Sequence, residues 1–238
     1  MGQAGEVILE IREVSKDYRG LRPLRIQTLT LGRGQSIAIV GLDAVTAEVL
    51  VNLATGATVP DSGEVELFGQ LTTSVTDGDA WLTSLDRIGI LSERAVLLDQ
   101  MTVAQNLAVP FSLKLNPIPP DTRAVVERLA ADVGIAAGQF ERPVAELDRG
   151  SRARVRLGRA LALDPGLLLA EHPNAMVEAD DASAFASDIR RICEQRRCAA
   201  LTLTADLTFA SSIAGQVLTL HGASGELRTP TPAWRRWF

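Results

Sequence analysis

The run Ser36-Ile-Ala-Ile-Val40 ends at Gly41, and a segment with helical periodicity follows over residues 44–53, with Val49, Leu50 and Leu53 on its apolar face. A short apolar run of this kind suits a strand buried on both faces of a sheet. A buried strand that passes through a glycine into a helix has the geometry of a phosphate-binding loop. The glycine permits the turn, and the first N–H groups of the helix are left free to meet an anion.

The rest of the chain alternates in the same manner. Strand-like runs fall at residues 7–11, 24–31, 63–68, 88–91, 167–170 and 199–204, with a last strand at 217–221. Helical patterns fall at 80–87, 151–163 and 181–196, with a short helix after residue 204. Residues 102–147 are mostly helical, broken at Asn116-Pro-Ile-Pro-Pro120, with Asp121 expected to cap a helix through residue 132. This order predicts an α/β protein with a mainly parallel sheet, carrying a helical insert.

Composition narrows the function classes. The 238 residues carry 24 basic and 29 acidic side chains, a net charge of −5, which argues against an electrostatic nucleic-acid binder. Only Lys16 and Lys114 are lysines; the other 22 basic residues are arginines. Any chemistry that needs a lysine has two candidates. Cys193 and Cys198 are too few for a disulfide framework and fit a reducing compartment, and two histidines exclude a histidine-rich metal site. No basic-then-apolar leader opens the sequence, and the longest uncharged stretch, residues 207–225, carries Ser, Gln, His and Gly, a poor membrane span.

Three segments carry a family resemblance: Gly34-Gln-Ser-Ile-Ala-Ile-Val-Gly41, Pro60-Asp-Ser-Gly-Glu-Val65 and Arg159-Ala-Leu-Ala-Leu-Asp-Pro-Gly-Leu-Leu-Leu-Ala170. They resemble the nucleotide-binding subunits of ABC transporters, in order, over about residues 7–227. The resemblance implies a P-loop NTPase-like fold with an N-terminal antiparallel β region. It implies one domain over 1–238: an α/β core at 1–92 and 152–228, a helical subdomain at 93–151, and an aromatic, basic tail at 229–238.

Motif by motif, the chemistry departs from that family. Its phosphate loop reads G-x-x-x-x-G-K-[ST], with backbone N–H groups around phosphate, a lysine to neutralise it and a hydroxyl on Mg²⁺. This chain reads Gly41-Leu-Asp-Ala-Val-Thr-Ala-Glu48, so Thr46, Ala47 and Glu48 stand for the second glycine, the lysine and the hydroxyl. Val45 and Thr46 stand where positive φ is usually wanted, and Asp43 and Glu48 would oppose a triphosphate. Glu93 stands at the Q-loop, Glu171 for the Walker B aspartate and His172 for the water-positioning glutamate. Ala205 replaces the switch histidine, and Glu178 aligns with the D-loop aspartate. The signature becomes Leu147-Asp-Arg-Gly-Ser151, with Asp148 beside the γ-phosphate position and Gly150 as the retained glycine. Tyr18, the only tyrosine, looks like the ring that stacks on adenine, or else packs beside an edge strand.

The catalytic set is thus empty, and the nucleotide positions are Tyr18, Gly41, Asp43, Thr46, Ala47, Glu48, Asp148 and Gly150. Glu48, Glu93 and Glu171 either converge as oxygen ligands for a divalent ion or pair with arginines such as Arg94. No cofactor is expected; ATP and Mg²⁺ would require the divergent loop to retain weak binding. The expected function is a pseudo-ATPase with a structural or regulatory role in a membrane transport complex, cytoplasmic and peripheral to the inner face of the membrane. Its expected partners are a membrane permease subunit and a competent relative as heterodimer, or a second copy. The alternatives are an active transporter ATPase and a stand-alone ligand- or metal-binding module. Leu98, Met101, Val103, Leu107, Val109 and Phe111 of the insert form either its own core or a docking face, and Trp234-Arg-Arg-Trp-Phe238 suits a membrane interface, a partner or its own domain.

Overall fold

A computed structural model describes residues 5–74 and 77–230, so the tail motif at 234–238 lies outside the described residues. The chain opens with β1 (Val7–Lys16) and β2 (Leu24–Gly32), then runs through β3 (Ser36–Val40) into α1 (Ala44–Ala54). β4 (Ser62–Leu67), the two-residue β5 (Gln70–Leu71), α2 (Gly78–Leu85) and β6 (Ile88–Leu91) follow. Helices α3 (Val103–Ala108), α4 (Pro120–Asp132) and α5 (Arg149–Leu161) then precede β7 (Leu167–Glu171). The chain continues through α6 (Ala182–Arg196), β8 (Ala199–Thr204), α7 (Leu207–Ile213), β9 (Gln216–His221) and β10 (Glu226–Arg228).

Two sheets form. One is antiparallel, in the order β2-β1-β4-β5; the other runs β10-β9-β3-β8-β7-β6 and is parallel except for the β9–β10 pair. The central strands are buried on both sides, and their period-2 alternation divides them between two cores. Ile37, Ile39, Leu167, Leu169, Leu201 and Leu203 face the core shared with the antiparallel sheet and α1. Ala38, Val40, Leu168, Ala170 and Ala200 face the core shared with α3–α7. Because β3, β7 and β8 run parallel in register, Val40 pairs with Thr204 and Glu171 with Leu203. Their carboxyl ends therefore arrive at one edge, where ligands of open α/β sheets sit.

The helical segment is held by a capping box at Thr102 and Gln105 and by the fully buried Asn106. The Asn106 amide accepts from Leu98 N–H and donates to the carbonyls of Leu98 and Thr102, lashing the preceding loop to α3. Val103 and Leu107 are core residues and Phe111 packs against them, whereas Leu98 is partly exposed.

Two expectations change. Asp121 does not cap α4: Pro119 holds the cap position and Pro120 begins the helix, its fixed φ already helical, which places Asp121 in the first turn. β9 is not the last strand, since β10 pairs back on it through a turn at residues 222–225. Among the glycines, Gly89 is the one that decides how closely β6 and α5 approach, because a Cβ there would fall 2.2 Å from the Ala160 carbonyl oxygen. Gly89→Ala is therefore expected to destabilise the chain by about 1–3 kcal/mol through overpacking. Urea unfolding checks it, and an unchanged midpoint would contradict so close a contact.

Candidate functional site

The turn from β3 into α1 is short, and α1 starts where the helical periodicity placed it. Gly41 takes φ +90°, its N–H donates to Thr204 O at 3.3 Å, and α1 already begins at Ala44. Val45 and Thr46 are helical, and neither takes the positive φ that the family's loop pattern usually wants at these positions. The N-cap is Asp43, whose carboxylate accepts the Thr46 N–H at 2.7 Å, while Ala47 N–H bonds back to Asp43 O at 2.9 Å. The helix N-terminus thus meets an anion supplied by the chain itself. The Thr46 hydroxyl and N–H hold the Asp43 carboxyl below its usual range, with a smaller contribution from His172.

Thr46 also engages Tyr18. The phenol lies 2.9 Å from Thr46 Oγ1, and the ring packs on the core between the sheets. Ala47, at the lysine position, is fully buried in that same core.

The neighbouring strand end is organised by one arginine. Glu171 closes β7 and is 7% exposed. Ser92 Oγ donates to its Oε2 at 2.6 Å and Arg94 Nε donates to the same oxygen at 3.1 Å, while Arg94 Nη2 bonds Oε1. The other arm of the guanidinium, Nη1, reaches Glu48 Oε1 on α1 at 2.6 Å. One fixed cation thus bridges two of the three glutamates proposed as metal ligands, and the Glu171 carboxylate raises the already high pKa of Arg94. Glu93 does not join them. It turns toward Arg149, at 3.8 Å, and among the described residues no three His, Cys, Asp or Glu side chains gather as a metal-binding group. The three-carboxylate cation site is therefore not formed. The physical reason is that the guanidinium supplies both charge and directed donors, which three converging carboxylates would otherwise lack.

The second group of predicted residues sits at the start of α5. Asp148 caps it, accepting Ser151 N–H at 2.7 Å and Ser151 Oγ at 2.9 Å; these bonds, the backbone one first, lower its pKa. Gly150 lies in the first turn, and Arg149 faces Glu93 and, at 3.9 Å, Glu178. No hydrogen bond or ion pair joins Asp148 or Gly150 to the group around Asp43 among the described residues. His172 adopts a left-handed backbone at φ 43°, donates its N–H to Leu203 O at 2.7 Å, and leaves Nε2 buried without a partner. Ala205 follows the end of β8 and is exposed.

Sequence reasoning missed Ser92 and Asn174. Ser92 completes the shell of Glu171, and Asn174 accepts from the Thr204 hydroxyl at 2.8 Å. The signal for Ser92 was available: a hydroxyl directly after an apolar strand that ends beside β7.

The sheet order, the strand-glycine-helix turn and the flanking antiparallel sheet define a P-loop NTPase-type cassette. A family profile described as ABC transporter matches residues 24–175, and the chain belongs to that family. It is 29% identical over 219 residues to the lipoprotein-releasing system ATP-binding protein LolD of Psychrobacter arcticus, covering 90% of this chain and 96% of that one. It is 27% identical over 229 residues to the methionine import ATP-binding protein MetN of Brucella abortus, covering 96% of this chain but 60% of that one. Among solved structures, cbiO1 from Clostridium perfringens, part of an ABC transporter complex, superposes with a TM-score of 0.79 at 19% identity, over 94% of this chain and 87% of that one. The dimeric bacterial cassette MJ0796 gives 0.75 at 19%, over 93% and 97%.

The two capping carboxylates have a pH signature. Both are depressed in the folded chain, so their contribution is complete above the unfolded carboxylate value near pH 4 and is lost as pH falls through the lower folded values. Asp43→Ala is expected to cost about 1 kcal/mol at neutral pH. The gap to the unsubstituted chain should close in acid, as urea titrations on either side of that window would read. A gap that is constant with pH would show that the carboxylate charge is not what caps α1.

Proposed function

We propose that this chain is a pseudo-ATPase subunit of a membrane transport complex, a structural or regulatory member that works without a nucleotide-driven cycle of its own. The observation behind it is the Arg94 bridge between Glu48 and Glu171, with the Asp43 carboxylate at the start of α1. Mg-ATP does not suit these residues. A phosphate approaching α1 would face the Asp43 carboxylate, which already holds the Thr46 N–H, and a divalent cation would face a guanidinium already held between both carboxylates. The phosphate lysine and the water-positioning glutamate are replaced by Ala47 and His172, so hydrolysis would lack several groups at once; each such loss alone commonly costs about 10²–10³ in rate.

The partners follow from the relatives, which are named as ATP-binding proteins of import and release systems. The chain would sit on a membrane permease subunit, peripheral to the inner face of the membrane, paired with a competent relative or a second copy. Among the described residues no helix is long and apolar enough to cross a membrane. We place the α/β core at residues 1–92 and 152–228 and the helical subdomain at 93–151.

Thermal melting with Mg-ATP tests this. A ligand at a hundredfold excess over its Kd adds about 2.7 kcal/mol of stability. The expected result is a melting temperature unmoved by millimolar Mg-ATP, and an upward shift that grows with concentration would favour an active ATPase. Ala47→Lys should not restore binding. It places an ammonium where the side chain is fully buried, so the expected outcome is a lower melting temperature that Mg-ATP does not raise.

A further inference from the structure

The only two cysteines of the chain flank the end of α6. Arg197, directly after the helix, takes a left-handed backbone at φ 52°, and the chain then enters β8. Two nested backbone bonds close this turn. Arg197 N–H donates to Glu194 O at 3.2 Å, and Cys198 N–H donates to Cys193 O at 2.9 Å. In a helix end of this kind the two residues joined by the outer bond also bring their side chains into contact. Here both of those residues are cysteine. They lie in one core, 4% and 2% exposed, and both are free thiols. Packing alone asks only for two small apolar groups at these positions, whereas two sulfurs in contact add a reaction.

The contact between the thiols raises the Cys193 pKa and lowers that of Cys198, so Cys198 ionises first. Burial opposes the charge at both, Arg196 favours it at both, and Glu194 and Asp164 oppose it at Cys193 and Cys198 respectively. While protonated, Cys198 Sγ donates to Ala199 O at 3.3 Å. We propose that Cys193 and Cys198 form a modification site, at which a hydroperoxide converts the pair to an intrachain disulfide that staples the end of α6 to the start of β8. The Cys198 thiolate attacks one peroxide oxygen and the O–O bond breaks. The departing hydroxide takes up the proton that Cys198 gave off, leaving water and a sulfenic acid. The Cys193 sulfur then attacks the Cys198 sulfur; an S–S bond forms, the S–O bond breaks, and the hydroxyl leaves as a second water with the Cys193 proton. The two sulfurs give up two electrons and the peroxide gains them. A reagent this small needs only a brief opening of the last turn of α6 to enter.

Mass spectrometry of the folded full chain tests this. Trypsin cuts after Arg191, Arg196 and Arg197, so the thiols fall in separate peptides, 192–196 and 198–228. After treatment with hydrogen peroxide and alkylation of any remaining thiols, the expected product is a monomer lighter by two hydrogens. Its digest should hold these two peptides joined, and a thiol reductant should part them. In a glutathione redox buffer the disulfide should form about tenfold more readily in the folded chain than in urea, because the helix end already holds the sulfurs together. By the same linkage the oxidised chain should melt at a higher temperature than the reduced one. Arg197→Gly, which suits a left-handed backbone, should keep the advantage of the folded chain. Thiols that survive peroxide unchanged, oxidation that stops at a sulfinic acid on one cysteine, a disulfide between two copies, or a folded chain with no advantage over the unfolded one would each overturn the proposal.

Discussion

Arg94 donates to Glu171 at the end of β7 and to Glu48 on α1, so a single guanidinium pairs with both carboxylates that the sheet and its first helix bring to the same edge. Glu171 is buried, and a carboxylate there without a partner would be costly to keep charged. The bridge also ties the segment after β6 to both neighbours, through Ser92 as well as Arg94. One turn of chain away, Asp43 supplies the anion that the N-terminus of α1 favours, and Thr46 passes that contact on to Tyr18. Asp43, Thr46, Glu48, Ser92, Arg94 and Glu171 are thus all engaged with partners from the same chain, while Nε2 of His172 is buried without one.

The unusual preference for arginine over lysine has a structural use beyond this site. Arg152 donates to Val144 O and Ala145 O, Arg154 to Val133 O, Arg156 to Ala95 O, and Arg196 to Leu161 O. These carbonyls belong to loops, short turns and helix ends. A planar, five-donor fork can serve a carbonyl and a carboxylate together, as Arg154 does with Val133 and Asp188, where an ammonium offers no fixed geometry. Most of the arginines of α5 thus work as clamps on the surrounding chain.

Much of the fold was legible in the residues. The runs at 36–40, 88–91 and 199–204 coincide with β3, β6 and β8, because strands that are mostly buried leave short, largely apolar runs free of charge. The two-residue β5 and the three-residue β10 were not legible, since neither carries enough periodicity to stand out. At the site, the positions were readable and the directions were not. Glu93 and Arg94 are adjacent, yet one turns to Arg149 and the other to Glu171, a choice set by residues more than fifty positions away. Likewise, Val45 and Thr46 looked strained only on the assumption of a long phosphate loop. The cap at Asp43 keeps both residues inside α1, whose start at residue 44 the periodicity had marked, and removes the need for positive φ.

The central claim, that Arg94 is a resident cation, is open to a direct reading by nitrogen-15 NMR of its Nε–H. A guanidinium locked between Glu171 and Glu48 should give a resolved Nε–H signal, slow to exchange with water and unmoved by millimolar Mg-ATP. A signal that exchanges freely, or that shifts or vanishes as Mg-ATP is added, would contradict it.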